Sequence, residues 1–438
     1  MKITKFLLIV FLLSGVVLSS CKKDEEKDNT VTDDPRIRTM SINGLTATFV
    51  VNDVEGLIFN YDSLSYGTAV NKLRPEFTGH GGKLSFQYKY GNGEWREFSN
   101  DTLDFSFQRV FFKSIAPDSS YTKEYRIEVR VHKYDVEAFT WKKNEKTLPV
   151  QGKVVSQKAV FYGQKYYFFY RNEADKSYVI TSEDGDNWIE AGEIAINDPD
   201  WTTLTSMYQS VTFAVQAAGE LYVCDDLSDG NFSFRPFDTE LPEGVTLQVP
   251  LFTLGDNFWV IAKEADHSFL YSLTEGGEYQ KGVSLPSGTP VENITTFVSP
   301  SGSTTIGYIF GGKNANGNGT AWGIDVNGNI IELTSNPSAL PALSYPTPLF
   351  FGSRLYLAGG VTSGNYSNRF YASPNSGVAW SNDTHKILPA QLAKGSIFEY
   401  ERNKIILIGG ENRSGFSPNV WKAVLNQEIL DDIILNRN

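Results

Sequence analysis

The sequence predicts an all-β protein in which a six-bladed β-propeller follows a small immunoglobulin-like β-domain. Three observations carry this prediction. The N-terminal region alternates apolar and polar residues with a period of two, the remainder repeats a short apolar run about every 48 residues, and Leu-Pro pairs separate the repeats. The 438 residues include Gly 38, Tyr 22 and Phe 29, which suits strands joined by many turns.

Residues 1–20 are predicted to be a lipoprotein signal peptide. Two lysines precede an apolar run from Phe6 to Leu18, which is shorter than the ~20 residues that a membrane-spanning helix needs. The run ends in Leu18-Ser-Ser-Cys21, which resembles a bacterial lipobox, where the cysteine becomes the acylated first residue. We therefore expect lipidation at Cys21, with an ordinary secreted protein as the alternative.

Residues 21–35 are predicted to be a flexible tether. The segment begins CKKDEEKD and has almost no apolar content. Lysines followed by acidic residues directly after the cysteine resemble the surface-export signal of Bacteroidetes-type lipoproteins, so we expect an outer-membrane protein, anchored by lipid alone and facing the cell exterior. A mere spacer is the alternative. If Cys21 is lipidated, Cys224 has no cysteine left for an intramolecular disulfide.

Residues 36–140 are predicted to form the small β-domain. In YRIEVRVH, residues 125–132, apolar and polar side chains alternate, as in a half-buried strand. Asn92-Gly93 follows another alternating stretch and predicts a tight hairpin turn. This region contains no combination of residues that indicates catalysis.

Residues 141–427 are predicted to form the propeller, and residues 428–438 a C-terminal tail. Three apolar runs end in double glycines that begin at Gly311, Gly359 and Gly409, a period of about 48 residues. We assign the same position in the earlier repeats to runs without the glycine pair, which gives six repeats. These runs are Tyr166–Arg171, Leu221–Asp225 and Phe258–Ala262.

The Leu-Pro pairs predict how the ring closes. Four of them lie between successive repeats, and a fifth, Leu148-Pro149, precedes the first repeat. The segment from Trp141 to Pro149 therefore resembles the closing strand of a repeat, Trp380 to Pro389, whereas the last repeat lacks such a strand. We expect residues 141–147 to complete the sixth blade, because closure removes exposed sheet edges.

A stretch with the sequence TSEDGDNW, residues 181–188, resembles the Asp-box of sialidases and other glycan-handling propellers. A second copy, SPNSGVAW, occupies residues 373–380. A catalytic centre is needed once per ring, whereas a structural turn can recur, so we interpret both copies as turns between the third and fourth strands of a blade. The residues assigned to these turns are Ser182, Asp184, Gly185, Trp188, Ser373, Asn375, Gly377 and Trp380.

No catalytic residue, cofactor or metal is predicted. The arginine signature of sialidases is absent, and a copper oxidase related to kelch-like proteins would need paired histidines, whereas His267 and His385 lie on different repeats and Cys224 is alone on an apolar strand. The formal net charge of -12, without a basic patch, argues against nucleic acid as a partner.

A family resemblance follows from three segments: IFNYDSLSYGT at residues 58–68, the alternating strand 125–132 and the segment beginning at Trp141. Together they resemble a domain-of-unknown-function family of Bacteroidetes-type surface lipoproteins, in which a small β-domain precedes a kelch-like, Asp-box propeller. Ser65 stands where the pattern leads us to expect proline. The resemblance implies architecture and location, and no catalytic residue.

The function expected from these features is that of a cell-surface binding or interaction scaffold, for glycan or protein, without catalysis. A glycan-active hydrolase or lyase on the same ring is the alternative, and a structural partner in a surface complex also stays open, as does the oligomeric state. Loops after the second strand of each blade are expected to form the binding face. Its candidate residues are Arg171, Lys263, His267, Lys313, Tyr366, Arg369, Arg413 and Phe416.

Overall fold

The computed structural model describes residues 33–80, 82–106, 109–207, 212–227, 230–274, 278–299, 305–312, 319–334 and 340–427. The predicted signal peptide, Cys21, most of the tether and the predicted tail lie outside the described residues. Strands account for nearly all of the regular structure, as predicted. The chain divides into two compact units, one ending at Tyr134 and one beginning at Asp135. In the described part of the chain, no helical segment has the length and hydropathy required to span a membrane.

The first unit is a small β-domain. Its strands are β1 (Ile37–Ile42), β2 (Phe49–Asn52), β3 (Leu57–Asn60), β4 (Pro75–Gly79), β5 (Ser85–Tyr90), β6 (Arg96–Glu97), β7 (Val110–Ile115) and β8 (Thr122–Glu128). One sheet has the order β2-β3-β8-β7-β5-β6, with β3 and β8 parallel, and β1 pairs with β4 in a second sheet. Phe112, Tyr125 and Ile127 are buried in the core. The predicted strand 125–132 thus begins earlier and ends at Glu128, and Asn92-Gly93 lies in the β5–β6 turn as expected.

The second unit consists of six four-stranded sheets, or blades. Strand β9 (Phe139–Lys143) comes first in the chain but belongs to the last blade. Blade 1 consists of β10 (Val154–Tyr162), β11 (Lys165–Asn172), β12 (Ser177–Ser182) and β13 (Ile189–Ile194). Blade 2 consists of β14 (Pro199–Met207), β15 (Thr212–Ala217), β16 (Glu220–Cys224) and β17 (Arg235–Pro236). Blade 3 consists of β18 (Val245–Leu254), β19 (Asn257–Glu264), β20 (His267–Thr274) and β21 (Tyr279–Ser284).

Blades 4 to 6 complete the propeller, and blades 5 and 6 each carry an additional small hairpin after their second strand. Blade 4 consists of β22 (Thr295–Val298), β23 (Gly307–Phe310), β24 (Ala321–Ile324) and β25 (Ile330–Glu332). Blade 5 consists of β26 (Thr347–Phe351), β27 (Arg354–Ala358), β30 (Arg369–Ser373) and β31 (Ser381–Ile387), with the hairpin β28 (Val361–Thr362) and β29 (Asn365–Tyr366). Blade 6 consists of β32 (Ser396–Glu401), β33 (Lys404–Ile408), β36 (Val420–Leu425) and β9, with the hairpin β34 (Glu411–Asn412) and β35 (Gly415–Phe416).

The repeating runs have apolar side chains on both faces because each blade packs between its two neighbouring blades. In β11, Phe168 packs toward blade 6, whereas Phe169 stacks on Trp201 of blade 2 at a ring distance of 5.0 Å. Five of the six runs are second strands, as aligned from the sequence. Leu221–Asp225 is the exception: it covers β16, the third strand of blade 2, whose second strand β15 is the less apolar TFAVQA.

Strand β9 closes the ring by pairing antiparallel with β36, so that Trp141 lies opposite Ala423. The pairing begins at Phe139, before the predicted segment 141–147, and the backbone N–H of Asn144 continues it by donating to Val420 O at 2.9 Å. Phe139 explains the earlier start, because its ring is buried against Phe351 of blade 5 at 5.2 Å. The closing strand therefore also contributes to the core between two blades.

The Asp184 turn connects the third and fourth strands of blade 1. The carboxylate Oδ1 of Asp184 accepts the backbone N–H groups of Asp186 and Asn187, both at 2.8 Å. The Ser182 hydroxyl accepts the N–H of Gly185, and the Trp188 indole donates to Gly185 O at 3.0 Å. The whole motif is thus a network that fixes one turn.

The second copy makes the equivalent hydrogen bonds in blade 5. Asn375 Oδ1 accepts the N–H of Ala379, and Ser373 Oγ accepts that of Gly377, both at 2.8 Å. The Trp380 indole donates to Gly377 O at 2.8 Å. A side-chain amide oxygen therefore replaces the carboxylate as acceptor, which explains why Asn375 suffices.

Each of these turns packs against the preceding blade. A Cβ at Gly185 would collide with Ile406 of blade 6, and one at Gly377 would lie 3.3 Å from Tyr308 of blade 4. Blade 4 has a third such turn, in which Asp325 Oδ1 accepts two backbone N–H groups and Gly328 lies against Trp259 of blade 3. That turn ends in Ile330 instead of tryptophan, so the sequence motif did not identify it.

The first turn also contacts the segment that closes the ring. Lys422 of β36 donates to Asp184 O at 2.8 Å and forms an ion pair with Asp186 at 2.6 Å. Asn144, directly after β9, donates to Gly185 O at 2.7 Å. The turn in blade 1 therefore binds both strands at the outer edge of blade 6.

We predict that Asp184→Asn lowers stability and weakens its dependence on acid. The backbone hydrogen bond from Asn187 is the main reason why the pKa of Asp184 lies well below its usual value. A carboxyl with a lowered pKa stabilises the fold above its unfolded pKa of ~3.9, and this contribution disappears as the pH falls through the folded value. Because the side chain is exposed, the loss at pH 7 should be about 1 kcal/mol.

Urea unfolding of the wild type and of Asp184→Asn at pH 7 and pH 3 measures both effects. The two proteins should differ in stability at pH 7 and differ less at pH 3. Asp256→Asn, in an exposed turn of blade 3, is the control. An equal difference at both pH values would contradict the assignment.

Candidate functional site

The second strands end, and the innermost strands begin, at the same rim of the propeller. This follows from antiparallel pairing: Pro199, the first residue of β14, lies opposite Ala217, the last residue of β15. The loops predicted to bind a ligand and the first residues of the inner strands therefore share one rim, which we call the upper rim. The site described below lies where the inner strands begin.

A cavity of about 300 Å³ opens among blades 2 to 5 at this rim, and we call it the mouth cavity. Amide, hydroxyl and carboxylate side chains and one tyrosine ring form most of its wall. Its lining residues are Asp200, Thr202, Thr203, Gln216, Gln248, Val249, Pro250, Val291, Glu292, Asn293, Ile294, Thr296 and Tyr345.

The inner strands of the six blades surround the axis of the propeller, and we call the space along this axis the channel. Three residues around the channel adopt a left-handed backbone conformation. Asn293, Tyr345 and Lys394 have φ values of 57°, 50° and 56°, and each lies just before the inner strand of its blade. A bulky residue rarely adopts positive φ, and such strain commonly occurs at functional sites. The same recurring bend brings three different side chains to the channel.

Hydrogen bonds connect these residues around the channel. Tyr345 N donates to Asn293 O at 2.9 Å, and Lys394 N donates to Tyr345 O at 3.2 Å. The chain continues to blade 1, where the Gln157 side chain donates to Lys394 O at 2.7 Å. Four consecutive blades, 4 to 6 and then 1, are thereby connected, which stabilises the strained bends.

A narrower cavity of about 30 Å³ adjoins the mouth cavity and shares Thr202, Ile294 and Tyr345 with it. Both cavities are lined by Tyr345, but Lys394, whose ammonium lies 4.7 Å from the ring centre, lines only the narrow one. Burial raises the pKa of Tyr345, and the carboxylates of Asp200, Glu411 and Glu292 add to this effect. The phenol is therefore neutral near pH 7, and its ring borders the mouth cavity.

Lys158 of β10 lines the narrow cavity. Its ammonium donates to Thr202 O at 3.2 Å. Loss of hydration lowers the pKa of Lys158 to about 8, although the charge of Asp200 acts in the opposite direction. The channel therefore contains a partly buried lysine whose charged form is destabilised by the loss of hydration.

A second charged group connects the channel to the hairpins of blades 5 and 6. Glu411 accepts a hydrogen bond from Tyr366 at 2.6 Å and forms an ion pair with Lys394 at 2.8 Å. The hydrogen bond to Glu411 raises the pKa of Tyr366 to about 12. Burial acts to raise the pKa of Glu411, but Lys394 and Tyr366 keep it below its usual value. Tyr366 thus positions Glu411, which in turn positions Lys394.

Other predicted binding residues have structural contacts at the upper rim. Arg171 forms ion pairs with Asp175 and with Asp198 of blade 2, at 2.8 and 2.7 Å. Phe416 packs on Phe168 at 5.8 Å, between blades 6 and 1. These two side chains hold neighbouring blades together at the rim.

The remaining predicted residues are distributed around the rim. Lys263 and His267 belong to the β19–β20 hairpin of blade 3, Arg369 begins β30, and Arg413 hydrogen-bonds Asn365 between the hairpins of blades 6 and 5. Lys313 lies outside the described residues. Of the predicted set, Tyr366 is connected to the channel, because it hydrogen-bonds Glu411, the ion-pair partner of Lys394.

Sequence reasoning missed the residues of the channel itself, above all Lys158, Asp200, Tyr345 and Lys394. The apolar runs align second strands, whereas the channel is lined by residues at the beginning of first strands. A signal did exist, because Asn293, Tyr345 and Lys394 recur with a spacing close to the repeat length of about 48 residues. Within the described residues, no cluster of three or more His, Cys, Asp or Glu has the arrangement of a metal site.

We predict that Lys158→Met stabilises the propeller at neutral pH and changes its response to alkali. The folded-state pKa of Lys158, about 8, lies below the usual lysine value of 10.5. Between these values the unfolded chain binds a proton that the folded chain does not, so wild-type stability should rise with pH. The variant should lack this rise.

Urea unfolding at pH 7, 8.5 and 10 measures the two slopes. Lys165→Met, on the opposite rim of blade 1, serves as the control for loss of one positive charge. Equal pH slopes in wild type and Lys158→Met would contradict the lowered pKa.

Comparison with known proteins gives two matches to family models. Residues 135–432 match the DUF6242 beta propeller domain, and residues 18–129 match the N-terminal domain of the same domain of unknown function. No curated protein matches the chain.

Two solved structures are similar to the propeller part at low sequence identity. "Structure of YjhT" has 14% identity and a TM-score of 0.43, covering 64% of this chain and 95% of that one. "Structure of SapL1 lectin in complex with alpha methyl fucoside" has 13% identity and a TM-score of 0.41, covering 63% and 97%. The family matches cover most of this sequence and include both compact units, as the resemblance of the sequence implied. The chain therefore belongs to the DUF6242 family, with its N-terminal domain and its propeller.

Proposed function

We propose that the propeller is a non-catalytic binding module that takes a saccharide at the mouth cavity. The observation that supports this most directly is the composition of the cavity wall, in which amides and hydroxyls from several blades surround the ring of Tyr345. Small-molecule sites combine a concave surface with a few convergent polar groups. A volume of about 300 Å³ corresponds to the lower end of such sites.

The polar groups of the cavity suit a ligand rich in hydroxyls. Gln216, Gln248 and Asn293 each carry an amide, which both donates and accepts hydrogen bonds. Gln248 Oε1 accepts a hydrogen bond from Ser268 at 2.5 Å, and no bond from its amide nitrogen occurs among the described residues. That nitrogen can therefore donate to a ligand hydroxyl, while the Tyr345 ring offers an apolar face to a sugar ring.

Catalysis by a hydrolase is the second candidate, because Asp200 and Glu292 line the same cavity and glycosidases use two carboxyl groups. Against it, Oδ1 of Asp200 accepts three hydrogen bonds, from Ser156 Oγ and from the N–H and Oγ1 of Thr202. These bonds hold Asp200 Oδ1 between the inner strands of blades 1 and 2, which is a structural role. Binding without turnover is therefore the better-supported function.

The proposal is tested with a glycan array and a turnover assay on the chain from Asn29 onward. We expect binding to at least one saccharide class without cleavage. Tyr345→Asn should weaken this binding about tenfold, since it removes the ring while asparagine tolerates the left-handed backbone. Phe161→Ala, at the opposite end of β10, should bind normally. Cleavage of a glycan, or full affinity in Tyr345→Asn, would contradict the proposal.

We also propose that lipid at Cys21 anchors the protein to the outer membrane, with the two domains outside the cell. The basis is the lipobox-like LSSC and the acidic segment that follows it, both outside the described residues. Cys21→Ala should abolish incorporation of radiolabelled palmitate and release the protein from the membrane fraction. Protease treatment of intact cells should degrade the wild type. Retention of label in Cys21→Ala, or full protection from protease, would argue against this location.

A further inference from the structure

The charged residues that line the mouth cavity are both acidic. Asp200 and Glu292 belong to blades 2 and 4, and no Lys, Arg or His occurs among the described lining residues. The two lysines nearby, Lys158 and Lys394, line the narrow cavity, which shares Thr202, Ile294 and Tyr345 with the mouth cavity. Lys394 forms an ion pair with Glu411, and the single positive charge of Lys158 does not balance the two carboxylates of Asp200 and Glu292, so negative charge prevails at the mouth cavity.

The two carboxylates and Tyr345 border the same cavity. The pKa of Tyr345 is raised first by burial and then by Asp200, Glu411 and Glu292, so both lining carboxylates lie close enough to affect the phenol. Their remaining oxygens can accept further hydrogen bonds. Asp200 Oδ2 has no hydrogen bond within the described residues, and Glu292 is exposed at the rim.

The Tyr345 ring already interacts with one cation. The Lys394 ammonium lies over it, 4.7 Å from the ring centre. An aromatic face attracts a second cation by the same electrostatic interaction, and a neighbouring carboxylate strengthens the attraction. Because Tyr345 lines the mouth cavity together with Asp200 and Glu292, an ammonium group bound there is stabilised by the aromatic ring and by both carboxylates.

We infer that the mouth cavity selects a saccharide with a free amino group, whose ammonium lies among Asp200, Glu292 and the Tyr345 ring. This inference rests on the proposed saccharide binding and adds the chemical class of the ligand. The amides of Gln216, Gln248 and Asn293 hydrogen-bond the sugar hydroxyls. N-acetylation removes the positive charge and leaves the two carboxylates without a partner, so the acetylated sugar binds more weakly.

The experiment compares three oligosaccharides of equal length by isothermal titration calorimetry: glucosamine, N-acetylglucosamine and glucose oligomers. The wild-type chain from Asn29 onward should bind the glucosamine oligomer at least about tenfold more tightly than the other two. Glu292→Gln should reduce this preference, and because Glu292 is exposed the variant should fold like the wild type. Asp200→Asn is the second variant. Glu173→Gln, at the same rim but outside the cavity, keeps the preference and controls for general attraction between an acidic protein and a polycation.

The outcomes separate the inference from the proposed function. Equal binding of the three oligomers, or an equal loss of preference in Glu173→Gln and Glu292→Gln, overturns the selection for an amino group but leaves saccharide binding intact. Binding of glucosamine oligomers that is unaffected by Glu292→Gln and Asp200→Asn also overturns it. Absence of binding by all saccharides on the array and in the titrations refutes the proposed function itself.

Discussion

The antiparallel pairing of β9 with β36 is the constraint on which the propeller depends. Without β9, the last blade would have three strands and β36 would be an exposed edge. The pairing brings together residues nearly 300 positions apart in the chain, and it places Phe139 in the core between blades 5 and 6. The Asp184 turn then attaches blade 1 to the same two strands through Asn144 and Lys422.

The candidate site depends on this closure directly. The hydrogen-bond chain around the channel runs from Asn293 through Tyr345 and Lys394 to Gln157, and its last bond joins blade 6 to blade 1. Opening the ring would break that bond and release the left-handed bend at Lys394. Because Lys394 also lies over the Tyr345 ring, ring closure supports the aromatic wall of the mouth cavity.

The architecture could be predicted from the sequence because its signals are local and repeated. Buried second strands need apolar residues on both faces, and the two Asp-box copies carry an acceptor, a glycine and a tryptophan in fixed order. Blade 2 was misaligned because its second strand, TFAVQA, is less apolar than the strand after it. The turn at Asp325 was missed because Ile330 replaces the tryptophan.

The site was harder to predict because its wall combines residues from four blades, 2 to 5, that lie far apart in the chain. Polar residues in long loops suggested the binding face, but Arg171 and Phe416 hold blades together there. The cavity wall comes instead from the beginning of the inner strands, where Tyr345 and Asp200 resemble ordinary residues between strands. Only the ring geometry shows that they converge, since neither residue is near the other in sequence.

Amide hydrogen exchange of the intact chain, followed by mass spectrometry, tests ring closure most directly. Peptides from β9 should exchange as slowly as those from β33 and β36, because all three strands then open only when the whole propeller unfolds. Fast exchange throughout β9, with β33 still protected, would contradict the account by showing that the sixth blade is stable without its closing strand.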